Sequence, residues 1–286
     1  MLIYYLHVVC MAIGKWMPLI FATTTGSAEH GAAGHEGGGH ESSTPQLPSL
    51  ISIVFGHESL AHTWVNIIYA FAAAIFLCII AITVYRKRQM IPGPFQNAVE
   101  MLVESMYNFM QTILGKEARK YTPFLGTLFF YILAMNWMGM VPLAHAPTTN
   151  LNTTVALAVI VFLYAQYTGI RRLGIIGYID HLAGSPRDAV SWVMVIIMFP
   201  LHIIGELAKP LSLSLRLFGN ITGEDVLIAV FVGLGVAILS FLPVGLPLQF
   251  PFYFLGLLLS TIQALVFTLL SAIYILLMLP HEEHAH

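Results

Sequence analysis

Charge is scarce in this 286-residue chain, with 12 Lys and Arg against 14 Asp and Glu, or 9% of all residues. A soluble domain carries about 25%. That scarcity excludes an ordinary soluble enzyme, and a net charge of −2 leaves no basic excess for nucleic acid. Cysteine is nearly absent: Cys10 and Cys78 both lie in apolar segments and are too few for a disulfide framework or a metal cluster. There is no nucleophile elbow and no glycine-rich nucleotide loop, and His281-Glu282-Glu283-His284 lacks the four-residue histidine spacing of a zinc-hydrolase helix. The sequence therefore points to no catalytic site and no resident cofactor. What fills it is apolar side chain, 58% of the total, in several runs of 17 residues or more, so lipid is the solvent for most of the chain.

Two regions are expected. Residues 1–49 hold an apolar run interrupted by Lys15, a small-residue stretch from Ala22 to Ala28 that a signal peptidase could accept, and a tail rich in Gly, Ser and His. The tail has too little apolar surface to order itself. Residues 50–286 read as one transmembrane helical domain. Its apolar spans are Trp64 to Tyr85, Tyr121 to Leu143, Asn152 to Ile170, Val190 to Leu207, Val226 to Leu242 and Phe250 to Leu279. Each must be helical, because unpaired backbone groups in hydrocarbon cost several kcal/mol apiece. Between the first two, from Pro92 to Lys120, Phe95, Val99, Leu102, Val103, Met106, Phe109, Met110 and Ile113 recur at helical spacing, which predicts an amphipathic helix on the membrane surface.

Basic residues set the orientation. Arg86, Lys87, Arg88, Lys116, Arg119 and Lys120 follow the first span, and Arg171, Arg172 and Arg187 follow the third. These sides are expected to be cytoplasmic, with the N-terminal tail outside.

Lys209 and Arg216 are the costly exceptions, set among Leu211, Leu213, Leu215, Leu217 and Phe218 in a stretch too apolar for a solvated loop. On a helix turning 100° per residue, with Arg216 at zero, Lys209 falls at about 20°, Asn220 and His202 at about 40°, and Glu206 and Glu224 at about 80°. This polar stripe is roughly 33 Å long and matches a hydrocarbon core of about 30 Å, so it could line an ion path. Asp225 projects elsewhere on a straight helix. A midplane arginine stays charged and requires a carboxylate partner, yet Glu224 is roughly 12 Å away along the axis. In the last span Gln263 is the only amide, with Ser260, Ser271 and Tyr274 on nearly the same face.

The run Lys209-Pro210-Leu211-Ser212-Leu213-Ser214-Leu215-Arg216-Leu217-Phe218-Gly219-Asn220 strongly resembles the signature of subunit a of F-type ATP synthases. Further similarities lie at Pro123, Asn136 to Pro142, Pro147 to Thr154, Gln263 to Phe267 and Tyr274, so the resemblance covers roughly residues 50 to 280. It implies a non-catalytic stator subunit in a bacterial inner membrane, beside a rotating ring of c subunits and b-type peripheral stalk subunits. Two half-channels would carry H⁺ or Na⁺ to the ring's carboxylate, which becomes the missing partner of Arg216. Gln263 matches the glutamine facing that arginine, and Asn220 the asparagine one turn on. An ungapped match puts Asp225 on the family's half-channel acid, whereas the helical projection prefers Glu224; both stay candidates. His202 departs from the carboxylate of several relatives, and Gly256 from the His or Glu of some.

The implied fold is an all-α membrane protein of about five transmembrane helices plus the interfacial helix. Val190 to Leu242 becomes one tilted arm that pairs antiparallel with Phe250 to Leu279, leaving the C-terminus inside. Leu213 and Leu217 are then expected at the contact with the ring's outer helix. The competing reading is a secondary transporter or metal-ion carrier using His30, His35, His40, His57 and His62; no internal repeat of the transporter kind supports it.

Overall fold

The computed structural model describes residues 59–86, 89, 93–141, 146–183, 189–239 and 250–279. The expectations for the N-terminal tail and the C-terminal histidines lie outside the described residues. Within them no strand occurs, and the order of elements is α1 (Ser59–Arg86), α2 (Pro94–Leu114), a 3-10 turn (Gly115–Glu117), α3 (Ala118–Gly139), a 3-10 turn (Pro147–Thr149), α4 (Leu151–Ala183), α5 (Ala189–Leu239) and α6 (Phe250–Leu277).

Four stretches are long and apolar enough to cross a membrane: 66–86 in α1, 151–174 in α4, 198–234 in α5 and 250–277 in α6. The helix α3 covers most of the expected span from Tyr121 to Leu143 but is not among these four. It starts with Arg119 and Lys120 in its first turn, and it buries Tyr121, Leu125, Ile132 and Asn136 among its neighbours. The chain is an all-α, multi-pass membrane protein.

The sequence reading ran the amphipathic helix from Pro92 to Lys120, but the structure ends it at Leu114. Gly115 takes a φ of 55°, its N–H closes on the Gln111 carbonyl, and the chain turns into α3. Met106, Met110 and Leu114, one turn apart, bury the C-terminal half of α2 against Tyr121 and Leu125 of α3 and Ile275 of α6. Phe95, Met101 and Leu102 of its N-terminal half stay exposed.

The main core draws on five helices. Ala70 and Ala73 of α1, Ile132 and Met135 of α3, Leu157 and Val161 of α4, Leu213, Leu217 and Ile221 of α5, and Ala264 and Phe267 of α6 pack into one cluster. Small residues on α1 and α6 let the backbones approach, which replaces the hydrophobic drive that lipid removes.

The helix α5 joins two predicted apolar runs without a break, despite Pro200 and Pro210. At 1.5 Å per residue its 51 residues span roughly 77 Å, more than twice a bilayer core of about 30 Å, so it cannot stand upright. It runs antiparallel to α6 in a single register. Phe231 stacks on Phe252 with centroids 3.8 Å apart, Glu224 meets Ser260, Asn220 meets Gln263, and Lys209 lies 5.5 Å from the centre of the Tyr274 ring. From the first pair to the last each helix advances by the same number of residues, a matched length of roughly 33 Å.

Candidate ion-translocation site

Around Arg216 the helix α5 shows two apolar faces. Leu213, Leu217 and Ile221 are buried in the core, while Leu207, Leu211 and Leu215 are exposed. At 100° per residue Arg216 falls between these faces. It is exposed, and among the described residues it makes no ion pair. The expectation that Leu213 and Leu217 face outward is corrected here. They are 1% and 0% exposed, packed against the other helices, and Leu211 and Leu215 hold the outer face instead. The alternation of Leu and polar residues in this stretch concealed which leucines point inward.

On the C-terminal side of Arg216, the Asn220 Nδ2 donates to Gln263 Oε1 at 2.5 Å. Gln263 is 3% exposed, and its Nε2 is a buried donor with no hydrogen-bond partner among the described residues. One turn further, Ser260 Oγ donates to Glu224 Oε2 at 3.0 Å. The Ser260 carbonyl in turn accepts from Asn136 Nδ2 at 3.3 Å, and Thr148 Oγ1 donates to Asn136 Oδ1 at 2.9 Å. Glu224 therefore turns toward α6; Asp225 lies beside it, half-buried. Gly256 makes room for this arrangement, since a Cβ there would collide with the Glu224 carboxylate and lie 2.6 Å from the Met140 methyl. Larger side chains at this position would need the acid moved or absent.

On the N-terminal side a second group forms. Lys209 Nζ donates to Glu206 Oε1, Gln166 Nε2 donates to Glu206 Oε2 at 3.1 Å, and Tyr178 OH donates to Gln166 Oε1. The Lys209 ammonium faces the Tyr274 ring, and the Tyr274 hydroxyl lies within electrostatic reach of both Glu206 and Arg216. His202 stays apart: it is exposed, with Nδ1 3.1 Å from the Met198 carbonyl of its own helix. Continuing the α5–α6 register carries His202 past the end of α6 at Leu277, so no α6 side chain opposes it.

Arg216 is thus an exposed arginine with no ion pair among the described residues, and polar groups lie on either side of it along α5. The family model described as the ATP synthase A chain matches residues 67–276. ATP synthase subunit a of Protochlamydia amoebophila is 49% identical over 251 residues, covering 85% of this chain and 92% of that protein. The subunits a of Solidesulfovibrio magneticus and Moorella thermoacetica are 40% and 39% identical, each over 77% of this chain and 85% and 89% of the relative.

The chain belongs to the ATP synthase A chain family.

As a member of that family it is a membrane-sector subunit of an ATP synthase, and its helices account for the multi-pass membrane character. Four residues that the sequence reading did not name as site residues join the polar groups of this A chain: Asn136, Thr148, Gln166 and Tyr178. Gln166 carried a visible signal, an amide inside the apolar run from Asn152 to Ile170. Tyr178 carried none, because Gly174 separates it from that run and only a reversal of the chain brings it back.

Proposed function

We propose that this subunit is the stator of the membrane sector, forming two proton half-channels that meet at Arg216 and coupling proton flow to rotation of a c-subunit ring. Arg216, exposed at the edge of an apolar face, without an ion pair among the described residues and with a polar cluster on each side, carries this reading. A permanent positive charge there attracts the deprotonated carboxylate of a passing c subunit and stops protons from crossing directly between the half-channels. Gln263 has an unused amide donor beside Asn220 with which to contact that carboxylate. Glu224, Asp225 and Ser260 serve the half-channel from the outer side, and Glu206, Lys209, Tyr274 and His202 the one toward the cytoplasm.

The orientation follows from charge. Glu117 pairs with Arg172, which joins the turn before α3 to the end of the first arm of α4, just before Gly174, and brings Arg119, Lys120, Arg171 and Arg172 to the same side. That side is cytoplasmic on this reading, in a bacterial inner membrane, with b-type stalk subunits as further partners.

The test is ATP synthesis in energised inverted vesicles from cells carrying Arg216→Ala or Arg216→Lys, with the amount of assembled enzyme measured in parallel. Both variants should assemble and lose synthesis, because an ammonium is a more strongly hydrated point charge than a guanidinium. Undiminished synthesis by Arg216→Ala overturns the reading. A cysteine at Leu211 or Leu215 should cross-link to a cysteine on the outer helix of the c subunit, whereas one at Leu213 or Leu217 should not.

A further inference from the structure

The polar cluster around Glu206 depends on a part of the chain that the signature does not reach. At Gly174 the backbone takes φ 74° and ψ 167°, a conformation essentially reserved for glycine, and α4 breaks into two arms there. Gln166 and Tyr178 are 12 residues apart, which on an unbroken helix would separate them by roughly 18 Å along the axis. Their hydrogen bond requires the second arm to fold back along the first. Gly169 receives the returning ring: a Cβ there would lie 3.3 Å from Tyr178 Cδ2 and 3.2 Å from Met278 Sδ.

We propose that Tyr178 is a positioning residue of the cytoplasmic half-channel, latched by the Gly174 reversal, which orients the Gln166 amide so that Glu206 faces a donor and not an acceptor.

An amide has one accepting and one donating end, and its neighbours decide which end faces which way. Among the described residues Tyr178 supplies the proton on its side of Gln166, so Oε1 turns to the phenol and Nε2 turns to Glu206. The Tyr178 phenol is protonated near neutral pH and so donates. Glu206 is also faced by Lys209 from its own helix and by Tyr274 from α6, which links it toward Arg216. Removing the phenol hydroxyl lets the amide turn over, and its carbonyl then opposes the carboxylate. This inference rests on the stator reading, and it adds the α4 arm to the path.

The experiment uses the whole ATP synthase in liposomes, with synthesis driven by a pH step while the pH on each side is varied separately. Tyr178→Phe and Gln166→Leu should slow synthesis by roughly two- to tenfold, the worth of one hydrogen bond, and shift its dependence on cytoplasmic-side pH. The dependence on pH at the opposite side should not move. Gly174→Ala should have the same effect, and the double variant with Tyr178→Phe should be no slower than either single one. Equal shifts on both sides, no shift at all, or an additive double variant overturns the proposal. If Gly174→Ala does not assemble, the near-isosteric Tyr178→Phe decides alone. Arg216→Ala is run alongside: its inactivity with a normal Tyr178→Phe rejects this inference only, whereas its full activity rejects the stator reading.

Discussion

Toward the N-terminus of α5, Glu206 has both carboxylate oxygens occupied, one by the Lys209 ammonium and one by the Gln166 amide. Toward the C-terminus, Glu224 receives only the Ser260 hydroxyl, with Asp225 next to it, and among the described residues no cation pairs with either. Both groups sit on the same helix and share the same partner, α6, in the same register. The difference arises from the third element. On one side α4 contributes Gln166 and Tyr178; on the other α3 and the turn before α4 contribute the neutral Asn136 and Thr148. One cluster is charge-compensated within the subunit. The other holds acids that have no countercharge among the described residues. Arg216 separates the two, so the helix passes from uncompensated acid, through uncompensated base, to a neutral pair.

The largest effect expected is at the divider. Arg216→Ala joins the two clusters without a barrier, and inverted vesicles should then show ATP synthesis at background while the enzyme remains assembled. Retained synthesis would mean that the clusters do not communicate through this position.

Next comes the compensated side. Lys209→Met leaves Glu206 without its ion pair in a largely enclosed site, where breaking such a pair costs about 3 to 5 kcal/mol when burial is complete and less at the 22% and 17% side-chain exposure seen here. Thermal unfolding in detergent should show Lys209→Met destabilised and Glu206→Gln combined with Lys209→Met largely restored. The comparison fails if the double variant is no better than the single.

A smaller effect is expected on the acidic side. Gly256→Ala places a methyl against the Glu224 carboxylate and the Met140 side chain, an overpacking worth about 1 to 3 kcal/mol. Adding Glu224→Ala should recover most of that stability while lowering the synthesis rate, as measured by unfolding and turnover on the same preparations. Recovery without Glu224→Ala would show that the acid moves aside freely.

Smallest of all is the change expected on deleting residues 28–44. That segment is rich in glycine and has too little apolar surface to order a metal site, and pumping measured with and without a chelator should stay nearly unchanged. A large loss would bring a metal-dependent step back into consideration.

Much of this arrangement was legible in the sequence. Apolar run length required membrane helices, and the cost of Lys209 and Arg216 in an apolar stretch required that stretch to be helical, with its polar residues gathered on a stripe. That no acid lies close to Arg216 along that stripe was likewise visible from spacing alone. These follow from local physics: helical periodicity, segment length and the price of an unpaired charge in lipid.

Tertiary structure decided the rest, because periodicity says which residues share a face and not what that face meets. It turned Leu213 and Leu217 inward and left Leu211 and Leu215 outside. It gave Ser260 to Glu224, and it set Gln263 opposite Asn220 through the α5–α6 register. It ended α2 at Leu114, where Gly115 takes a positive φ and the chain turns into α3. It also brought Tyr178 back to Gln166 around Gly174, a contact that depends on one backbone angle and therefore leaves no trace in hydrophobic spacing.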